Sequence, residues 1–160
     1  MRILALDLGA KMGWALWDNG CVTSGVWSLN QASSKRFEGG GMKFVRFVRM
    51  LNEMPPLDRV AFEEVRRHLG VDAAHAYGGY LSQLSSWCET QSVPVPYEGI
   101  SVSAIKKRAT GKGNASKEEM IQAAKDKLGK MPEDDNEADA LWLLMLACEA
   151  EKLSWAGSKG

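Results

Sequence analysis

Ile3 to Leu8 is a nearly continuous apolar run interrupted by one acid, Asp7. A run of that length and density suits a strand buried on both faces. Trp14-Ala15-Leu16-Trp17 predicts a second strand and Cys21 to Leu29 a third. Asp18-Asn19-Gly20 lies between them, and its Asn and Gly tolerate the positive φ of a tight hairpin turn. The chain therefore opens as a three-strand meander. Residues 31–41 are polar, include Gly39-Gly40-Gly41 and read as a loop. Phe44, Val45, Phe47, Val48 and Leu51 then recur at helical spacing, until Pro55-Pro56 stops the helix.

Leu57 to Val65 reads as a fourth strand with Val60, Ala61 and Phe62 as its apolar part. Asp72 is placed to cap a helix running to about Gln91. Val93 to Tyr97 predicts a fifth strand, and its prolines put it at a sheet edge. Ser101 to Ala109 reads as a short helix. Ser116 with Glu119 forms a capping box that opens a helix over 117–128. The last helix is expected from near Asp135 to about Leu153, with 154–160 as a loose tail. The order βββαβαβα, with extra helical pieces before the last helix, is an α/β pattern: a five-stranded mixed sheet with helices on both faces. Residues 1–153 read as one domain, without repeat, low-complexity tract or linker.

Composition narrows the function classes. A chain of 160 residues supports one substantial core, and 45% hydrophobic with 25% charged residues excludes a disordered chain. Twenty basic and twenty acidic residues sum to zero, which excludes a uniformly basic nucleic-acid binder but not one with segregated charge. The charge is indeed segregated. Residues 100–117 hold Lys106, Lys107, Arg108, Lys112 and Lys117 and no acid, whereas 132–140 hold five acids and no base. Three scattered cysteines and two histidines exclude a disulfide framework and a Cys/His zinc site. The N-terminus reaches an acid too soon for a signal peptide, and no apolar run is long enough to cross a bilayer, so a cytoplasmic protein without membrane contact is expected.

The acids carry the chemistry. Asp7 lies among apolar neighbours, where a carboxylate needs a partner, a metal or a proton; the plain alternative is a strand-end Asp capping a turn or the Gly9 backbone. Glu63 follows Val60-Ala61-Phe62, and Glu64 faces the opposite side by strand alternation. Asp134 and Asp135 suit an acidic first helical turn. Asp139, flanked by Ala138 and Ala140, lies a turn deeper, with Asp135 at i−4 and Asn136 at i−3 able to share its face. Three separated acids on core elements suggest a divalent-metal site for phosphoryl transfer.

Taken in order, these residues resemble the RuvC-type Holliday-junction resolvases of the RNase H-like superfamily, most of all their compact phage or prophage branch. The resemblance rests on Ile3-Leu4-Ala5-Leu6-Asp7-Leu8-Gly9 with Gly13-Trp14-Ala15, on Phe62-Glu63-Glu64-Val65, on Lys106, Gly111, Gly113 and Lys117, and on Ala138-Asp139-Ala140-Leu141. It implies an RNase H-like fold and a homodimer in the cytoplasm of a bacterium or a phage-infected cell. It also implies a structure-selective endonuclease that cuts four-way DNA junctions with two Mg²⁺ ions, for which Mn²⁺ substitutes.

The resemblance further implies metal-binding roles for Asp7, Glu63 and Asp139, with Lys106 and Lys117 as catalytic cations. The family's fourth acid is replaced here by Asn136. Either Asp135, one position earlier, or the Asn136 carbonyl takes its place. Where relatives often carry an aromatic three residues after Glu63, this chain has Arg66. Arg66, Arg67, Lys106, Lys107, Arg108, Lys112 and Lys117 are expected to meet DNA phosphates, with Lys35, Arg36, Lys43, Arg46 and Arg49 extending the patch. Ala73, Ala74, Ala76, Gly78, Gly79 and Ser82 on the helix 72–91 serve either a dimer contact or packing on the chain's own sheet. Two other readings are a relative acting on flaps, RNA or RNA–DNA hybrids, and a junction-binding protein that does not cut.

Overall fold

The computed structural model describes residues 1–30 and 38–153. Five strands, β1 (Arg2–Asp7), β2 (Lys11–Asp18), β3 (Cys21–Ser28), β4 (Arg59–Glu64) and β5 (Tyr97–Ser101), form one mixed sheet in the order β3-β2-β1-β4-β5. β1, β2 and β3 are an antiparallel meander, with Asn19 and Gly20 both at positive φ in the first turn. β4 and β5 add in parallel on the other side of β1. The central strand β1 is therefore covered on both faces, which is why it is apolar at nearly every position.

Alternation along β1 splits the core in two. Leu4, Leu6 and Leu8 point to one face, under α1 (Met42–Asn52) and α2 (Val71–Glu89). Ile3 and Ala5 point to the other, under α3 (Val102–Thr110), α4 (Lys117–Leu128) and α5 (Asp135–Ala150). Helix α5 lies on β1 and β2, with α3 and α4 packed against it and α3 also touching β5. That position explains a helix with apolar residues all round: Ala140 to Met145, Ala147 and Cys148 are all buried.

The meander, the edge place of the fifth strand and the Ser116–Glu119 capping box agree with the sequence. The fifth strand itself is displaced. Val93 to Tyr97 is not a strand; pairing begins at Tyr97 and continues to Ser101. Pro94 and Pro96 donate no hydrogen bond, and the Val95 N–H goes to the Cys88 carbonyl at 3.0 Å, so only side-chain burial there resembles a strand. Asp72 does not cap α2; Gly70 takes that place, and Asp72 falls in the first turn. The last helix ends at Ala150 rather than near Leu153. The expected loop over 31–37, with Lys35 and Arg36, and the tail 154–160 lie outside the described residues. Among the described residues, no helix is long and apolar enough to cross a membrane.

Candidate metal centre and nucleic-acid interface

Three elements end at one place. Asp7 closes β1 on the face of Ile3 and Ala5, towards α5. Glu63 shares a face with Ala61 on β4 and so points the same way, while Glu64 goes with Phe62 to the α2 side. Asp139 comes down from α5. One oxygen from each of Asp7, Glu63 and Asp139 lies within 4.8 Å of the others. Among the described residues no hydrogen bond joins Asp7 to Gly9, so the plain capping role is not what places this carboxylate.

Gly13 allows α5 to come this close. It pairs with Asp7 across β1 and β2. A Cβ there would lie 1.9 Å from the Asn136 carbonyl oxygen, so the helix backbone rests directly on the strand. Asp134 caps the helix by accepting a hydrogen bond from the Glu137 N–H at 2.9 Å. The carboxylate face thus begins one turn into a well-anchored helix.

The electrostatics of the cluster are those of crowded anions. Burial pushes the Asp7 carboxyl well above its usual range, and Glu63, Asp139 and Asp135 add to the rise. Asp139 is pushed up to about 7, first by burial and then by Glu63 and Asp135, with Lys106 and Lys117 pulling it back. Glu63 Oε2 is buried and has no hydrogen-bond partner. Without a cation, such a set is reconciled only by shared protons. An all-carboxylate donor set with an orphaned buried oxygen fits a hard divalent cation such as Mg²⁺ or Mn²⁺.

Asp135 and Asn136 remain the two candidates for the fourth position. Asp135 acts electrostatically on both Asp7 and Asp139, and its own carboxylate lies 3.5 Å from Lys117 Nζ. The Asn136 amide donates to Asp134 Oδ2 at 3.3 Å.

The basic residues divide by what holds them. Lys106 and Lys117 stand close enough to act on Asp139. Lys107 is exposed on α3, and Arg66 and Arg67 are exposed just beyond β4, with Arg66 3.6 Å from Glu64. Lys112 pairs with Glu119 at 3.3 Å. Arg108 is engaged by Glu149 at 2.5 Å and lies over the Trp142 ring. Lys43, Arg46 and Arg49 sit on α1, across the sheet from α3, so they do not continue the same patch.

Three features escaped the sequence. Tyr77 on α2 donates to the Glu63 carbonyl at 2.9 Å and accepts from the Val65 N–H at 3.2 Å, which fixes the end of β4. Leu69, in the loop after β4, is fully exposed. Glu137 is buried, although it looked like one more member of an acidic run. Only Leu69 carried a local signal, as an apolar residue in a basic loop.

No family model matches the sequence, and no curated protein matches it. Solved structures do. Thermus thermophilus RuvC superposes with a TM-score of 0.64 at 21% identity, covering 99% of each chain. The same protein in complex with a Holliday junction substrate gives a TM-score of 0.68 at 21% identity, over 95% of this chain and 96% of that one. The fold is that of RuvC. The RNase H-like, RuvC-type architecture expected from the residues is therefore borne out along nearly the whole described chain. At this identity the likeness extends to the fold, and the site must be argued from its own residues.

Proposed function

We propose that this protein is a structure-selective DNA endonuclease of the Holliday-junction resolvase type. The observation that carries the reading is the convergence of Asp7, Glu63 and Asp139 within 4.8 Å of one another. Its support is the RuvC fold and the Holliday junction bound by the Thermus protein. Asp7, Glu63, Asp139 and Asp135 would hold two Mg²⁺ or Mn²⁺ ions. Bound there, the ions supply Lewis acidity toward a phosphodiester and a more acidic water.

The chain's own residues do the rest. The four carboxylates orient the site at the end of β1 and β4. Lys106 and Lys117 offset part of the cluster's negative charge, which lets a phosphate approach an otherwise repulsive pocket. Arg66, Arg67 and Lys107 are exposed beside it and offer phosphate contacts that position DNA without selecting sequence. Leu69, exposed in the loop after β4, offers an apolar contact to an unstacked base. The reading that the protein binds junctions without cutting rests on Asn136, and Asp135 restores the missing negative charge one position earlier.

A homodimer belongs to the same proposal. The site of a missing Cβ on Gly78 faces open space, and Ser82, one turn on, is exposed, so this face of α2 is available to a second copy. Gly79 is not, since a Cβ there would lie 2.4 Å from the Phe44 ring. Sedimentation of the full chain distinguishes one copy from two.

The decisive assay compares a four-way junction with duplex, flap and RNA–DNA hybrid at equal salt, with Mg²⁺. The junction is expected to be cut fastest. Asp7→Asn is expected to abolish cleavage while sparing folding and junction binding. Unchanged cleavage by that variant would sink the mechanism, and faster cleavage of a hybrid or flap would reassign the substrate.

A further inference from the structure

The first turn of α5 is held from three directions. Gly13 lets it rest on β2, and Asp134 caps it. The third hold is Glu137, a buried acid outside the carboxylate cluster. Its Oε1 accepts from the Ser24 hydroxyl at 2.7 Å, and its Oε2 accepts from the Glu133 N–H at 2.5 Å. One carboxylate therefore ties the incoming chain, the helix and the edge strand β3 together. Burial of this polar group is tolerable there because both oxygens accept hydrogen bonds.

The geometry of a helix gives this contact a consequence. Asp135 and Asp139 stand two residues before and two after Glu137. At about 100° per residue, both lie on roughly the opposite side of the helix from it. Glu137 faces β3, while the two aspartates face the ends of β1 and β4. A rotation of α5 about its axis would move the aspartates against Asp7 and Glu63, and at the first turn the Ser24–Glu137 bond is a polar side-chain contact that opposes that rotation. The outermost strand, remote from the carboxylate cluster in the sheet order, thereby acts on its geometry.

We propose that Ser24 and Glu137 are positioning residues. Their hydrogen bond sets the rotation of α5, and with it the affinity of the Asp7, Glu63, Asp135 and Asp139 cluster for a divalent cation. The inference rests on reading that cluster as a metal site.

The test uses the full chain and Mn²⁺ alone, without DNA, following free Mn²⁺ by electron paramagnetic resonance. Thermal midpoints are taken in EDTA for each variant. Ser24→Ala is expected to weaken Mn²⁺ binding by about 10-fold, as the loss of outer contacts to a metal site commonly does. Ser24→Thr keeps the hydroxyl and is expected to restore wild-type affinity. Glu137→Gln also keeps both contacts, because its carbonyl accepts from Glu133 while its amide donates to the Ser24 oxygen. It is expected to bind like the wild type, and it carries the test if Ser24→Ala fails to fold. Lower midpoints with unchanged Mn²⁺ affinity in Ser24→Ala would make the contact merely structural and overturn the proposal, leaving the metal site intact. A Glu137→Gln variant that folds but loses affinity would also overturn it, since charge rather than position would then be at work. A wild-type chain that takes up no Mn²⁺ would overturn the metal reading and this inference together.

Discussion

Replacing Asp139 by Asn removes one of the carboxylates that the fold holds together against their mutual repulsion. In the folded protein Asp139 titrates at about 7, against an ordinary value of 3.8. That interval corresponds to about 4 kcal/mol at ~1.4 kcal/mol per pH unit. The sign follows from linkage. A carboxyl whose folded pKa is raised contributes stability that is fully present below the unfolded value and is lost as pH rises through the folded one. The metal-free protein should therefore lose stability between about pH 4 and somewhat above pH 7. Asn does not titrate. At pH 8 in EDTA, Asp139→Asn should be more stable than the wild type by up to about 4 kcal/mol, roughly 8–16 °C in Tm for a chain of this size. The gap should close as pH falls toward 4. Adding Mg²⁺ or Mn²⁺ at pH 8 should raise the wild-type Tm more than that of the variant, because the cation binds the folded carboxylates. Calorimetry at pH 5 and pH 8, with EDTA and then with metal, reads all of this. A variant less stable than the wild type at pH 8 in EDTA, or a gap indifferent to pH, would refute the picture of a repulsive carboxylate cluster.

Gly13→Ala should cost about 1–3 kcal/mol in urea unfolding, because its Cβ would meet the Asn136 carbonyl oxygen at 1.9 Å and α5 must shift; wild-type stability would mean that the helix does not rest on β2. Arg108→Ala should lower stability by about 1 kcal/mol through its lost Glu149 and Trp142 contacts and leave junction affinity unchanged. Lys107→Ala should do the reverse, keeping Tm while reducing the slope of log affinity against log salt by about one. Binding titrations over a salt series separate the two lysine and arginine outcomes, and an affinity loss confined to Arg108→Ala would contradict the assignment.

What the sequence could show depended on whether the signal was local. Asp7 was visible because apolar neighbours surround it, and Asp139 because two alanines flank it on a buried helix. Glu63 and Glu64 were separable only as opposite faces; which face carries α5 is a property of the sheet, fixed by pairing β4 beside β1. Asp135 and Asn136 were equivalent candidates because both lie one helical turn before Asp139. Val93 to Tyr97 misled because Val95 is buried like a strand residue while its backbone bonds to the end of α2. Arg108 looked like its neighbours Lys106 and Lys107, and only the return of Glu149 on α5 distinguishes it. Glu137 was hidden among capping acids, since its partner Ser24 is 113 residues away.

Helix α5 follows all five strands in the chain, yet it fills the middle of one half of the core and delivers Asp139, which completes the cluster. A chain made only as far as α4 keeps the core under α1 and α2, but leaves the Ile3 and Ala5 face of the sheet without α5 and holds two of the three acids. Docking of α5 closes the core and the cluster in one event. Long-range closure of this kind is slow relative to local helix formation, so the carboxylate cluster is completed late in folding. A chain folding in this order holds no complete carboxylate cluster before α5 has docked.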